Sequence, residues 1–291
     1  MNIIKKIKNL SFKLFKVINL FPVLFEIFLE SHYQKRRDIS RNPFLKSFKR
    51  YSIFSQSDED SIIDEITKRM GITKGKFIEL GVGNGKQNNT LSLLAQGWKG
   101  LWIGNEEIIF KPRKNLKFIN SWITKENINQ IISSNLSFFN SEIDCKNNDI
   151  DLLSIDLDGN DYYIWDRILS SGVNPKIVIA EYNGTLGPRA NWIMPYQEFN
   201  DWKSRKDNYF GASFLSLVNL FKKYNYFPVC CNSDTGVNLF LVKENFKIKF
   251  KEIQNLQLDD IYESPHYALS IFNKTHKFSE LILREISGVR L

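Results

Sequence analysis

Short apolar runs alternate with amphipathic stretches along the middle of this 291-residue chain, and that alternation limits the fold to very few classes. Phe77-Ile78-Glu79-Leu80 is the first run, followed by a glycine-rich turn and a helical stretch over about Thr90 to Gln96 that Gly97 ends. Leu101-Trp102-Ile103 is the second, with a helix limited by Pro112 after it. Lys117-Phe118-Ile119 forms a weak third, then a helix over about Lys125 to Ser133 with Thr124 as its cap. Ile150 to Ile155 is the fourth, followed by a helix around Tyr162 to Leu169, and Ile177-Val178-Ile179-Ala180 is the fifth. Strand-helix repetition of this kind predicts a parallel sheet with helices on both faces. After a long loop, a helix over about Phe214 to Tyr224 leads to two further runs, Tyr226 to Cys230 and Val237 to Val242. The turn composition Asn232-Ser233-Asp234-Thr235-Gly236 separates them, which predicts an antiparallel hairpin at one edge. The expected fold class is α/β, a Rossmann-like sheet of seven strands.

The flanks read differently. Residues 1–30 place Lys5, Lys6, Lys8, Lys13 and Lys16 opposite a helical stripe of Ile3, Ile4, Ile7, Leu10, Leu14 and Ile18. The more apolar stretch from Val17 to Leu29 is broken by Asn19, Pro22 and Glu26, and is too short for the roughly 20 apolar residues of a membrane span. A helix lying on an anionic membrane surface, or one packed on protein or a second copy, fits this pattern. Residues 33–49 are basic and irregular, a linker. The body starts near Phe54, where Ser57-Asp58-Glu59-Asp60 reads as a helix start before Ile62, Ile63, Ile66 and Met70. The expected organisation is a basic helical extension and linker over 1–50, the Rossmann-like domain over 51–245, and a C-terminal extension over 246–291 that packs on it.

Composition narrows the function. Hydrophobic residues at 43% and charged residues at 25% are the proportions of a globular protein and exclude a disordered or multi-pass chain. The net charge of +8 suits an anionic surface or substrate better than a dedicated nucleic-acid binder, so no nucleic-acid partner is expected. Cys145, Cys230 and Cys231 show no metal or disulfide spacing, which favours a reducing, cytoplasmic setting. A sheet of this type binds ligands at the carboxyl ends of its strands. The first strand ends there in Glu79-Leu80-Gly81-Val82-Gly83-Asn84-Gly85, a G-x-G-x-G turn whose backbone can pass close to a ligand. Glu79 would repel a pyrophosphate but suits an ammonium group, so the charge logic favours S-adenosylmethionine over a nicotinamide dinucleotide. After the second strand, Glu106 is the acid placed to hold ribose hydroxyls.

Four segments carry a family resemblance: Phe77 to Gly85, Asn89 to Ile103, Asp151 to Tyr162 (Asp-Leu-Leu-Ser-Ile-Asp-Leu-Asp-Gly-Asn-Asp-Tyr) and Ile179-Ala180-Glu181-Tyr182-Asn183. Together they resemble the class I S-adenosylmethionine-dependent methyltransferases, especially FkbM-like proteins associated with polysaccharide and glycolipid gene clusters. The resemblance implies cofactor contacts at Glu79, Gly81, Gly83, Asn84, Gly85 and Asp156, with Glu106 on the ribose. It also implies Ser121 and Trp122 beside the adenine, and a sugar or glycan-intermediate hydroxyl as acceptor.

The acids of the third and fourth segments invite a reading of their own. Asp156 and Asp158 follow one buried strand, and Glu181 and Asn183 end its neighbour. Carboxylates gathered at one pole repel each other unless something positive lies between them, and Mg2+ or Mn2+ is a natural solution. Asp156, Glu181 and Asn183 are the expected metal ligands. Asp158 is the expected base for the acceptor hydroxyl, with His266 as a competitor. The loop from Gly184 to Phe210, rich in aromatics and arginine, is expected to meet the acceptor. Two other readings compete: a non-catalytic adaptor that keeps the fold, and a nicotinamide-dependent oxidoreductase, which would want G-x-G-x-x-G.

Overall fold

A computed structural model describes residues 27–141, 149–200, 202–205, 207–266 and 276–287. Most of the amphipathic N-terminal stretch, residues 1–26, and Cys145 lie outside them. The chain divides into two units, Met1–Ser40 and Arg41–Leu291. In the first, residues 27–39 are helical, and Arg37 pairs with Glu30 at 2.9 Å. Among the described residues no helix is long and apolar enough to cross a membrane.

The second unit is built on one sheet. Strands β1 (Lys76–Leu80), β2 (Lys99–Gly104), β3 (Leu116–Asn120), β4 (Leu152–Ile155), β5 (Ile177–Glu181), β6 (Tyr226–Cys231) and β7 (Asn238–Lys243) line up in the order β3-β2-β1-β4-β5-β7-β6. β1 to β5 pair in parallel, and β7 runs antiparallel between β5 and β6. The order reverses between β1 and β4, so a crevice opens at the carboxyl ends of those two strands. This is a Rossmann-like, seven-stranded, mostly parallel sheet with an antiparallel edge, as the alternation of runs predicts.

Strand alternation feeds two cores. On one face, Phe77, Trp102, Leu152, Ile179 and Phe240 pack under Ile62, Ile63 and Ile66 of α1 (Glu59–Met70) and Leu93 of α2 (Leu91–Ala95). On the other, Ile78, Leu80, Leu101, Leu153, Val178 and Leu241 meet three helices: α3 (Ile128–Asn135), α4 (Asp161–Ser170) and α5 (Phe214–Lys223). Gly100 is required by this packing, because a Cβ there would lie 2.1 Å from the Phe77 ring. A helical turn at Pro43–Lys46 buries Phe44 and Leu45 in the first core, so packing brings residues from the expected linker into the body. The last described helix, α6 (Glu280–Ser287), buries Ile282 against Trp192, Met194 and Tyr209.

Two local expectations are corrected. The connection from β2 to β3 contains no helix; Ile108 and Phe110 fold back on the sheet instead, with Phe110 edge-on to Trp102 at 5.8 Å. The segment's apolar residues thus anchor a loop. Helix α3 starts at Ile128, later than expected, because Thr124 and Asn127 cap each other: Thr124 N donates to Asn127 Oδ1 at 2.9 Å and Asn127 N to Thr124 Oγ1 at 3.3 Å. At the start of α1 the acids bind loops rather than their own helix. Asp60 Oδ2 accepts from the backbone of Ile53, Phe54 and Ser55, and the buried Glu59 accepts from Asn232 and Asn238 near β7.

Candidate functional site

The crevice at the switch point is a cleft of about 440 Å³. Gly81 and Gly83 form its floor after β1, both with positive φ (81° and 48°). A Cβ on Gly81 would stand 1.6 Å from the carbonyl oxygen of Asp156, so only glycine lets the first turn approach the end of β4. Around Gly83 nothing lies within 4 Å of a Cβ, and its backbone faces open space. Gly85 faces inward, toward Phe110, Trp102 and Ile108, and does not line the cleft. Asn84 lines an adjoining recess with Lys86, Gln87 and Glu106.

The second and third strands supply the side wall. Gly104 ends β2, Asn105 and Glu106 follow, and Ser121, Trp122 and Ile123 follow β3. Trp122 is 42% exposed, stacks on Phe199 with centroids 6.3 Å apart, and donates through Nε1 to the carbonyl of Glu198. An indole held this way offers a flat apolar face at the mouth of the cleft.

Glu79 is placed elsewhere. As the fourth residue of β1 it points to the face that carries α2, where Asn89 N (2.9 Å), Thr90 N (3.2 Å) and Thr90 Oγ1 donate to its two oxygens. Burial raises its pKa despite those donors. The acid therefore fixes the start of α2 behind the glycine turn and does not line the cleft.

The far wall is acidic. After β4 the chain turns through Asp156, Leu157 and Asp158, and Asp158 has φ of 54°. Asp161, at the start of α4, holds this turn from inside by accepting from Leu157 N at 2.8 Å and Gly159 N at 3.0 Å. One carboxylate oxygen from each of Asp156, Asp158 and Glu181 lies within 4.8 Å of the others. Asp156 is exposed to the cleft, and its pKa rises through desolvation first and then through Asp158 and Asp161. Desolvation, then Asp156, drives Glu181 well above the usual carboxylate range. Gathered at one pole, the two carboxyls each hold a proton more tightly than a free carboxyl does. Glu181 Oε2 is buried with no hydrogen-bond partner.

Asn183 does not join this cluster. Its amide is spent on the connection after β5: Nδ2 donates to the carbonyls of Asn208 (2.8 Å) and Phe210 (2.9 Å), while Oδ1 accepts from Thr185 N and Oγ1. Asp158 takes the place that spacing gives to Asn183. His266 lies outside the cleft lining, with its backbone N donating to the carbonyl of Thr235 in the β6–β7 turn. Within the 184–210 connection the aromatics divide. Trp192 and Tyr209 pack with α6 and donate to Glu285, and Arg189 pairs with Asp259. Asn200 and Trp202 reach the cleft, as does Asn160 from the Asp158 turn. Asn105 and Asn200 carry no motif that sequence reading could use, although Asn105 directly follows a strand end.

No protein-family model matches this sequence, and no curated protein matches it. Several solved structures overlap it in part. One described as a hemolysin, from Lactococcus lactis, has a TM-score of 0.41 and 10% identity, covering 72% of this chain and 97% of its own. The MycE methyltransferase of mycinamycin biosynthesis, solved with Mg, SAH and mycinamycin VI, has 0.39 and 14%, covering 74% of this chain and 53% of its own. The glycopeptide N-methyltransferase MtfA has 0.35 and 12%, covering 69% and 96%. With overlaps this partial, the site is read from its own geometry.

Proposed function

We propose that this chain is an S-adenosylmethionine-dependent O-methyltransferase acting on a hydroxyl of a sugar or surface-glycan intermediate. One observation carries the cofactor reading: Glu106, Asp156 and Asp158 line the switch-point cleft, and among the described residues no lysine or arginine lines it. Such a wall opposes the pyrophosphate of a nicotinamide dinucleotide and suits a ligand with ammonium and sulfonium groups. The volume is within the usual range for a small-molecule site. The glycine floor at Gly81 and Gly83 leaves room for close backbone approach.

When bound, S-adenosylmethionine supplies an electrophilic methyl group on a cationic sulfur. The chain's own part is to bind and orient. Gly81 and Gly83 admit the ligand, Glu106 is placed for ribose hydroxyls, and Trp122 with Ser121 flanks the base. Asp158 lines the same cleft and is the candidate to take the acceptor's hydroxyl proton on a carboxylate oxygen. Asp156, Asp158 and Glu181 fit a divalent cation by their oxygen chemistry, and Mg2+ or Mn2+ there would lower the pKa of an acceptor hydroxyl. The sugar acceptor rests on the resemblance, with the aromatic rim of Trp122 and Phe199 as a compatible surface. Residues 1–30 are the candidate contact with an anionic membrane or a second copy.

Calorimetric titration with S-adenosylhomocysteine beside NAD tests the reading, with and without Mg2+. Binding of the first and none of the second is expected. The reverse result favours the oxidoreductase, and no binding of either favours an adaptor that keeps only the fold.

A further inference from the structure

Asp158 is held in a backbone conformation that residues with a side chain seldom adopt, with φ of 54°. Such a residue costs roughly 1 kcal/mol or more and persists only where its surroundings over-determine it. Asp161 holds the turn on its inner side. On the outer side the holder is Asn200, whose Nδ2 donates to the Asp158 carbonyl at 2.7 Å. Arg205 fixes the sense of that amide, because its Nη2 donates to Asn200 Oδ1 at 2.9 Å and to the Tyr209 carbonyl at 3.0 Å. A flipped amide would set its NH2 against the guanidinium and its oxygen against a carbonyl. Gly159 makes room: a Cβ there would lie 2.1 Å from Asn200 Nδ2, although this glycine is not itself in the left-handed region. A second clamp lies beside the first, with Asn160 Nδ2 donating to the Gln197 carbonyl at 2.6 Å and Gln197 N to Asn160 Oδ1 at 3.2 Å.

We propose that Asn200, oriented by Arg205, is a positioning residue that aims the Asp158 carboxylate into the cleft. The inference rests on the reading of the cleft as a cofactor site. Without Asn200 the Asp158 carbonyl loses that hydrogen bond, the turn relaxes toward ordinary φ, and the carboxylate leaves Asp156 and Glu181. Asp158 then no longer faces the ligand's cation.

The test compares affinity for S-adenosylmethionine, which carries the sulfonium charge, with affinity for S-adenosylhomocysteine, which lacks it. Calorimetry on the full chain gives the ratio of the two. Asp158→Asn is expected to shift that ratio about tenfold toward the uncharged ligand, as loss of one nearby charge in a partly wet site should. Asn200→Ala is expected to shift it in the same direction by a similar factor, and to add nothing in an Asp158→Asn background. If Asn200→Ala does not fold, Arg205→Met carries the same test, with an expected shift of about threefold for one lost orienting hydrogen bond. A ratio unmoved in the folded variants, or shifts that add in the double variant, overturns the inference while the cofactor reading stands. Wild-type protein that binds neither ligand removes both.

Discussion

A carboxylate enclosed by protein persists only if a donor, a cation or a proton answers its charge, and the buried acids of this chain use all three. Asp58 meets Arg50 at 3.4 Å, and Glu79 meets two backbone N–H groups and a hydroxyl. Glu59 has only neutral donors, and burial, reinforced by Asp58, pushes its pKa up to about 7. Desolvation, reinforced by neighbouring acids, raises the pKa of Asp156 and of Glu181. The sign of the resulting pH dependence follows from proton counts. Glu59, Asp156 and Glu181 each bind a proton more tightly in the folded chain than when unfolded, where carboxyls titrate near pH 4. Their contribution is therefore fully present at low pH and is lost as pH rises toward about 7, where Glu59 ionises. Thermal unfolding should give a lower Tm at pH 8 than at pH 6, and Glu59→Gln should flatten that decline. An equal slope in the variant would assign the dependence to other groups.

At the level of elements, the central strands were legible because each is a short apolar run buried on both faces, whereas the half-exposed edge strand β3 gives a weaker signal. The β2–β3 connection was not, since Ile108, Ile109 and Phe110 have helical composition while their partners, Trp102 and Gly85, lie elsewhere in the chain. Site residues divide in the same way. Gly81, Gly83, Glu106, Ser121, Trp122, Asp156 and Asp158 meet in one cleft because strand ends converge at a switch point, which the strand pattern foretells. Alternation also grouped Asn183 with the acids, but it cannot register Asn208 and Phe210, which take up the Asn183 amide from far along the sequence. The glycine turn gives a sharp contrast to test. Gly81→Ala forces a Cβ against the Asp156 carbonyl, backbone against backbone, and should abolish S-adenosylhomocysteine binding with a large loss in Tm. Gly83→Ala meets no atom and carries only the cost of its positive φ, about 1 kcal/mol, so it should stay folded and bind more weakly. Equal losses in the two variants would mean that conformation, and not the approach of β4, sets the requirement.

For the molecule as a whole, the two cores account for why one half of the chain was easier to read than the other. Each sheet face is covered by helices whose periodicity shows in sequence, whereas the 184–210 connection has no period and finds its partners in α6, as Trp192 and Tyr209 do with Glu285. The division at Ser40 has a direct consequence. Everything that lines the cleft, and Asn42, Phe44 and Leu45 that close the first core, belongs to the unit Arg41–Leu291. A chain shortened to begin at Arg41 should therefore fold with a similar Tm and bind S-adenosylhomocysteine as the full chain does. The lysine-rich stretch before it should matter for association instead. Sedimentation with vesicles containing anionic lipid should retain the full chain and release the shortened one, more so at low salt than at high salt, because exposed charges are screened within about 10 Å at 0.1 M. If both chains sediment alike but differ in mass in solution, the N-terminal stretch serves contact between copies. If they differ in neither, it has no part in association, and a shortened chain that fails to bind ligand would show that the cleft depends on residues before Arg41.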